Sequence, residues 1–278
     1  MAIQIIFLIF LSKRLVCLQE ITEREENRMI NERMKKDLIA LGIKPQDTIL
    51  MHSSLSSLGY VEGGAETVID TLLSVLREGT LLVPALSWTT VNKDNPVFDV
   101  KNTPSCIGAI SEYFRKREGV IRSLHPTHSV CGIGKNAKEI LSHHLETNTP
   151  VGIRSPFSLL RDYNGKVLML GCTLRPNTSM HGVEETVDPE PWYVLTKDTT
   201  EFTLIDENGK KYVQSYRCHN FGVTKMAQRY ERLATVMDIP HGKVLEAECW
   251  LVPSKEMWEI GKQKIMEKEE FFVDPYKG

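Results

Sequence analysis

The chain has 278 residues, 41% hydrophobic and 25% charged, the make-up of a globular domain large enough to bury a substantial core. Its 34 basic and 36 acidic side chains leave a formal charge of -2, without the basic excess of nucleic-acid-binding chains, so no nucleic-acid partner is expected. The six cysteines (Cys17, Cys106, Cys131, Cys172, Cys218 and Cys249) form no C-x-x-C pair, which fits reduced thiols in a cytoplasmic protein and neither a disulfide framework nor a zinc site.

Residues 1–12, MAIQIIFLIFLS, are almost wholly apolar and are followed by Lys13 and Arg14. The run is shorter than the ~20 apolar residues of a membrane-spanning helix, and its charge follows the apolar stretch, the reverse of a secretory signal. Residues 1–28 are therefore read as an extension outside the fold and 29–278 as the domain, with no membrane partner for the mature domain; a reversed anchor is the alternative. The charged run EITEREENR reads as a linker or helix start.

From Ile30 onward the pattern is regular. Ile30, Met34, Leu38 and Leu41 recur at helical spacing, and Gly42 stands at the helix cap. DTILMHSS predicts a buried strand, GGAETVIDTLLSVLREG an amphipathic helix, and TLLVPAL the next strand. A helix over Ile107–Arg117, a strand at SVCGIG, a helix over Asn136–Leu145 and the strand KVLMLGC follow, then a helix beginning near Thr178. Beyond it, EFTLIDENGKKYVQSYR predicts a hairpin turning at Glu207-Asn208-Gly209. A helix over Gly222–Thr235, one strand KVLEAECWLV and a charged C-terminal helix complete the series. Strands alternating with helices imply a single three-layer α/β domain with a largely parallel central sheet and a smaller β-hairpin insertion.

Three polar stretches follow strands, where ligand sites of open α/β sheets gather. In NTSMHGVEE, residues 177–185, Thr178 or Ser179 is placed to cap a helix, and His181 and Glu184 share one face of it. A carboxylate that fixes an imidazole's tautomer and balances its cation makes a general base. A surface or capping pair has the same H-x-x-E spacing, and local sequence leaves both open. RSLHPTHSV, residues 122–130, offers Arg122 to a phosphate and Ser123 as a donor, with His125 and Pro126 in a rigid turn. Satisfied turn residues explain it equally, and Pro126 breaks the helix that an H-x-x-H metal site would need. MHSSLSSLGYVEGGAE, residues 51–66, runs from strand to helix through a serine-rich loop. Its amides and hydroxyls suit a phosphate or amide ligand, though the G-K-[ST] ending and G-x-G-x-x-G are absent.

In order, M-H-S-S-L-x-x-L-G, G-T-L-x-x-P, R-S-x-H-P-x-H-S-V, S-P and T-x-x-H-x-x-E resemble the antibiotic N-acetyltransferase family, whose named members are aminoglycoside 3-N-acetyltransferases; the match runs from about Met34 to Val252. The resemblance implies acetyl-CoA as donor, a small amine as acceptor and no metal. It implies His181 as base, Glu184 as its orienting partner and Thr178 beside the acetyl group. It further implies that the loop of His52, Ser53, Ser54 and Leu55, and that of Arg122, Ser123, His125 and Pro126, bind the pantetheine and phosphates of CoA.

Glu185 and Asp188, beside the motif, and Asp99, in VNKDNPVFDVKN, are the candidate acceptor ligands, since carboxylates attract a polycationic aminosugar. A cell-envelope sugar or metabolite amine is the alternative acceptor. A hydrolase lacks G-x-S-x-G and H-E-x-x-H, while a non-catalytic CoA-binding module would not depend on His181. Cys131 and Cys172 are expected in strands as small buried hydrophobes.

Overall fold

The computed structural model describes residues 25–276; the apolar run at 1–12 lies outside the described residues. Three strands form the centre: β1 (Thr48–Ser53), β2 (Thr80–Pro84) and β6 (Lys166–Leu170), with β1 parallel to both neighbours. Side chains alternate across them. Ile49, Met51, Leu81, Val83, Leu168 and Leu170 join one core, while Leu50, Leu82, Val167 and Met169 join the other. Strands buried on both faces read as continuous apolar runs, and such a run identifies a central strand between helical layers.

The sheet has seven strands in the order β10-β11-β6-β1-β2-β5-β4. Here β4 is Ile121–Arg122, β5 Val130–Gly134, β10 His241–Val244 and β11 Ala247–Pro253. β5 and β11 run against the centre and β4 and β10 turn back, so five of the seven strands share one direction. One core lies under helix α1 (residues 25–40), α2 (Ala65–Val75) and α3 (Ala109–Lys116). The opposite core packs Ile140 of α4 (Ala137–Ser142), Phe157 of α5 (Pro156–Leu159) and Met180 and Val183 of α6 (Ser179–Glu185) with Met257, Trp258 and Ile265 of α8 (Ser254–Glu267). A second sheet, β3 (Val97–Asp99), β7 (Leu195–Ile205) and β8 (Lys211–His219), carries its own core of Phe98, Phe202, Leu204 and Tyr216. Its hairpin turns where Asn-Gly predicts, with the Gly209 amide donating to the Asp206 carbonyl.

Residues 25–28 are helical, so that part of the charged run is helix. Two elements differ from expectation. The helix expected over Gly222–Thr235 is instead a single turn of helix α7, Phe221–Thr224, a strand β9, Met226–Gln228, and a 3-10 segment, Tyr230–Thr235. Lys225, at φ +55°, breaks the helix, and β9 pairs with β12 (Val273–Pro275) from the far end of the chain. The single strand KVLEAECWLV is a hairpin, β10 to β11, pivoting at Leu245 with φ +54°. Helix α1 holds that pivot: Asp37 accepts from the Leu245 amide at 2.9 Å, and Arg33 donates to its carbonyl at 3.1 Å.

Candidate active site

A cleft of about 960 Å³ opens at the C-terminal ends of β1, β2 and β6. His52 and Ser53 end β1, Pro84 ends β2, and Cys172 and Thr173 follow β6. Thr127 and His128, just before antiparallel β5, reach the same edge, and α6 presents Thr178 and His181. The second sheet closes the cleft with Thr196, Thr200 and Phe202 from β7 and Cys218 and His219 from β8.

Helix α6 starts where Asn177 Oδ1 accepts from the Ser179 amide at 3.1 Å; Thr178 occupies the cap position without a side-chain cap bond. Gly182 lets the helix seat. A Cβ there would stand 2.7 Å from Trp258 Cη2 and 2.8 Å from the Val151 carbonyl, well inside van der Waals contact.

His181 Nδ1 lies 2.7 Å from the Tyr230 hydroxyl, whose oxygen is 2.7 Å from Glu184 Oε2; the direct His181–Glu184 separation is 3.3 Å. One phenolic proton serves one acceptor. With Tyr230 donating to the carboxylate, its oxygen accepts from Nδ1–H, an assignment that leaves His181 Nε2 as the unprotonated atom. Glu184 is fully buried. Burial raises its pKa above the carboxylate range, opposed by the bonds from His181 and Tyr230, and burial with the adjacent Glu184 charge raises the Tyr230 phenol well above its usual value. Tyr230 carries no sequence signature: it lies 49 positions from His181 in a segment expected to be helical.

The other candidate residues separate. His52 is buried, and neither ring nitrogen has a hydrogen-bond partner among the described residues. Burial, then the neighbouring His181, lowers its pKa to about 3, so it is neutral. Ser54 bonds Ser57 at 2.8 Å and Leu55 packs onto the core; neither lines the cleft. The loop is held by Gly171 at φ +72°, where a Cβ would meet the Ser54 carbonyl at 3.0 Å.

Arg122, Ser123, His125 and Pro126 do not line the cleft. The Arg122 guanidinium is spent on the fold, donating to the Thr103 carbonyl at 2.6 Å, Ala85 at 3.0 Å, Val100 at 3.2 Å and Ser129 Oγ at 2.9 Å. Ser123 Oγ bonds the buried His144 Nδ1 at 2.7 Å. His125 Nδ1 accepts from the amides of Thr127 and His128, its Nε2 reaches the Thr149 carbonyl, and the Pro126 carbonyl accepts from Ser87. These are satisfied turn residues that hold His128 at the cleft.

None of the three expected acceptor carboxylates lines the cleft. Glu185 lies behind His219, 2.8 Å from its Nε2, and accepts from the Val151 amide at 3.0 Å. Asp99 folds back on its own turn, accepting from Lys101 and Asn102, and Asp188 is exposed outside the cleft. Cys131 is a buried strand residue, whereas Cys172 lies beyond β6 on the lining; burial pushes both thiols up to about 12, too high for an acyl-carrying thiolate. No cluster of three or more His, Cys, Asp or Glu that could hold a metal occurs among the described residues, and no helix there is long and apolar enough to cross a membrane.

The cleft at the C-terminal edge of the α/β sheet, with an oriented imidazole on its lining, has the features of an enzyme active site. The family described as aminoglycoside 3-N-acetyltransferase matches residues 50–266, and the chain belongs to that family. It is 33% identical over 256 residues to the aminoglycoside N(3')-acetyltransferase-like protein YokD of Bacillus subtilis, covering 84% of this chain and 91% of that protein. The crystal structure of YokD superposes with a TM-score of 0.73 at 28% identity, covering 87% of this chain and 94% of YokD. The aminoglycoside acetyltransferase AAC(3)-Xa gives a TM-score of 0.74 at 27% identity, over 89% and 98% of the two chains. Aminoglycoside N(3)-acetyltransferase VII of Streptomyces paromomycinus is 32% identical over 60% of this chain and 64% of its own length.

Proposed function

We propose that the protein transfers the acetyl group of acetyl-CoA to a primary amine in the cytoplasm, with His181 as general base. The observation that carries this reading is the His181–Tyr230–Glu184 array, which directs a lone pair to Nε2 on a residue that lines the cleft. The amine attacks the thioester carbonyl, His181 Nε2 takes a proton from the attacking nitrogen, and Glu184 balances the imidazolium through Tyr230. Thr178, on the same lining, is the donor to the developing oxyanion. His52 and Ser53 border the pantetheine, and the exposed cations Lys93 and Arg175 of the lining suit the phosphates of CoA.

Family membership supports an aminoglycoside or related aminosugar as acceptor. One observation favours a less charged amine: among the described residues the lining holds Lys93 and Arg175 and no carboxylate. The test is release of CoA thiol from acetyl-CoA with aminoglycosides and simple aminosugars, for wild type and His181→Ala. Release that His181→Ala abolishes supports the reaction and its base; acetyl-CoA that neither binds nor turns over overturns the reading.

A further inference from the structure

A second imidazole–carboxylate pair stands beside His181. His219, the last residue of β8, lines the cleft with its Nε2 2.8 Å from Glu185 Oε1. Nδ1 has no hydrogen-bond partner among the described residues. The His219 ring centre is 4.3 Å from that of His181, and α6 supplies the carboxylates of both pairs from adjacent positions, Glu184 and Glu185. His128 approaches His219 to 4.8 Å from the turn before β5, and Phe221 to 5.5 Å. Around Glu185 stand the Val151 amide, Thr149, His181 and the charge of Glu190. The Val151 amide gives the fold a use for the buried Glu185 carboxylate, but none for the histidine on this wall.

The proton balance of acetyl transfer supplies one. An amine more basic than the medium enters as R–NH₃⁺, with no lone pair. The overall change is R–NH₃⁺ + CH₃CO–SCoA → R–NH–COCH₃ + HSCoA + H⁺. The C–N bond forms and the C–S bond breaks, so nitrogen loses two protons. One ends on the thiolate and one in solvent. His181 serves the nitrogen in the tetrahedral adduct and returns that proton to sulfur.

We infer that His219, backed by Glu185, removes the first proton and so converts the bound ammonium into the nucleophile. This rests on the acetyl-transfer reading above. The Nε2–H directed at Glu185 leaves Nδ1 as the accepting atom. Burial pushes the Glu185 carboxyl up to about 7, and burial followed by the proximity of His181 holds His219 well below the usual imidazole value, so the proton is passed on to water and not retained. Two imidazolium rings at 4.3 Å would repel, so His219 discharges before His181 is charged.

The test compares kcat/KM of wild type, His219→Gln and Glu185→Gln across pH, with sisomicin as a protonated acceptor and hydroxylamine, neutral at about pH 8, as its counterpart. Thermal unfolding shows whether each variant is folded. With sisomicin, His219→Gln loses about 100-fold, and the deficit shrinks by about tenfold per pH unit toward the pKa of the amine. Hydroxylamine loses less than about threefold, whereas His181→Ala impairs both acceptors. Equal losses with the two acceptors, or a deficit independent of pH, overturn the inference and leave the acetyl-transfer reading intact. A wild-type enzyme that neither binds acetyl-CoA nor acetylates either amine overturns both.

Discussion

The Tyr230 hydroxyl stands 2.7 Å from His181 Nδ1, closer to that nitrogen than the Glu184 carboxylate at 3.3 Å. The His181 imidazole is thus oriented by a phenol, and the carboxylate acts on it mainly through that phenol. Tyr230→Phe removes the bridge and leaves the long contact. A hydrogen bond to a charged group contributes about 1.5–3 kcal/mol, so kcat falls about 10- to 100-fold while the KM for acetyl-CoA holds. Steady-state kinetics decides; an unchanged kcat would show that Glu184 orients His181 unaided.

Arg122 is a clamp. Its guanidinium ties three backbone carbonyls and Ser129 together and stacks 4.8 Å from the Phe98 ring centre. A lysine ammonium cannot reproduce that planar fork. Arg122→Lys costs about 2–4 kcal/mol in a urea titration and leaves acetyl-CoA affinity within about twofold. A variant of wild-type stability with weakened CoA binding would return Arg122 to the phosphates.

Five histidines, His52, His125, His128, His144 and His219, are depressed by burial, His52 to about 3. The unfolded chain binds their protons near pH ~6.5, so their contribution to stability is present above that value and lost as pH falls toward the folded values. Glu184 and Glu185, raised by burial, act with the opposite sign, losing stability as pH rises through their folded pKa. Urea midpoints between about pH 4 and 6.5 should fall steeply, and His144→Gln should reduce the slope by about one proton. An unaltered slope would place His144 in water.

Gly171 fixes the distance between β6 and the serine loop. Gly171→Ala sets a methyl 2.9 Å from Ser57 Cβ and 3.0 Å from the Ser54 carbonyl, at φ +72°. The loop must shift, at a cost of about 1–3 kcal/mol. The KM for acetyl-CoA should rise about tenfold, with kcat at saturation little changed. A rise in the acceptor KM alone would assign the loop to the other substrate.

Local pattern made much of this architecture legible. The apolar runs of β1, β2 and β6, the stripe of α2 and the Asn-Gly hairpin each declare themselves within a few residues. So does the three-residue spacing of His181 and Glu184 on α6. What escaped depends on distant partners. Leu245 takes a positive φ because Asp37 and Arg33 of α1 hold it. β9 is a strand because β12 lies beside it, and Tyr230 enters the site through a segment whose composition favours a helix. The placement of Arg122 and Glu185 off the lining was not legible, because a charged side chain in sequence shows its type and not its partner.

The two histidines on the cleft lining stand on different elements, His181 on α6 and His219 at the end of β8, yet both bond carboxylates of α6, Glu184 and Glu185. A single helix thereby sets the register of both pairs, so any displacement of α6 would disturb them together.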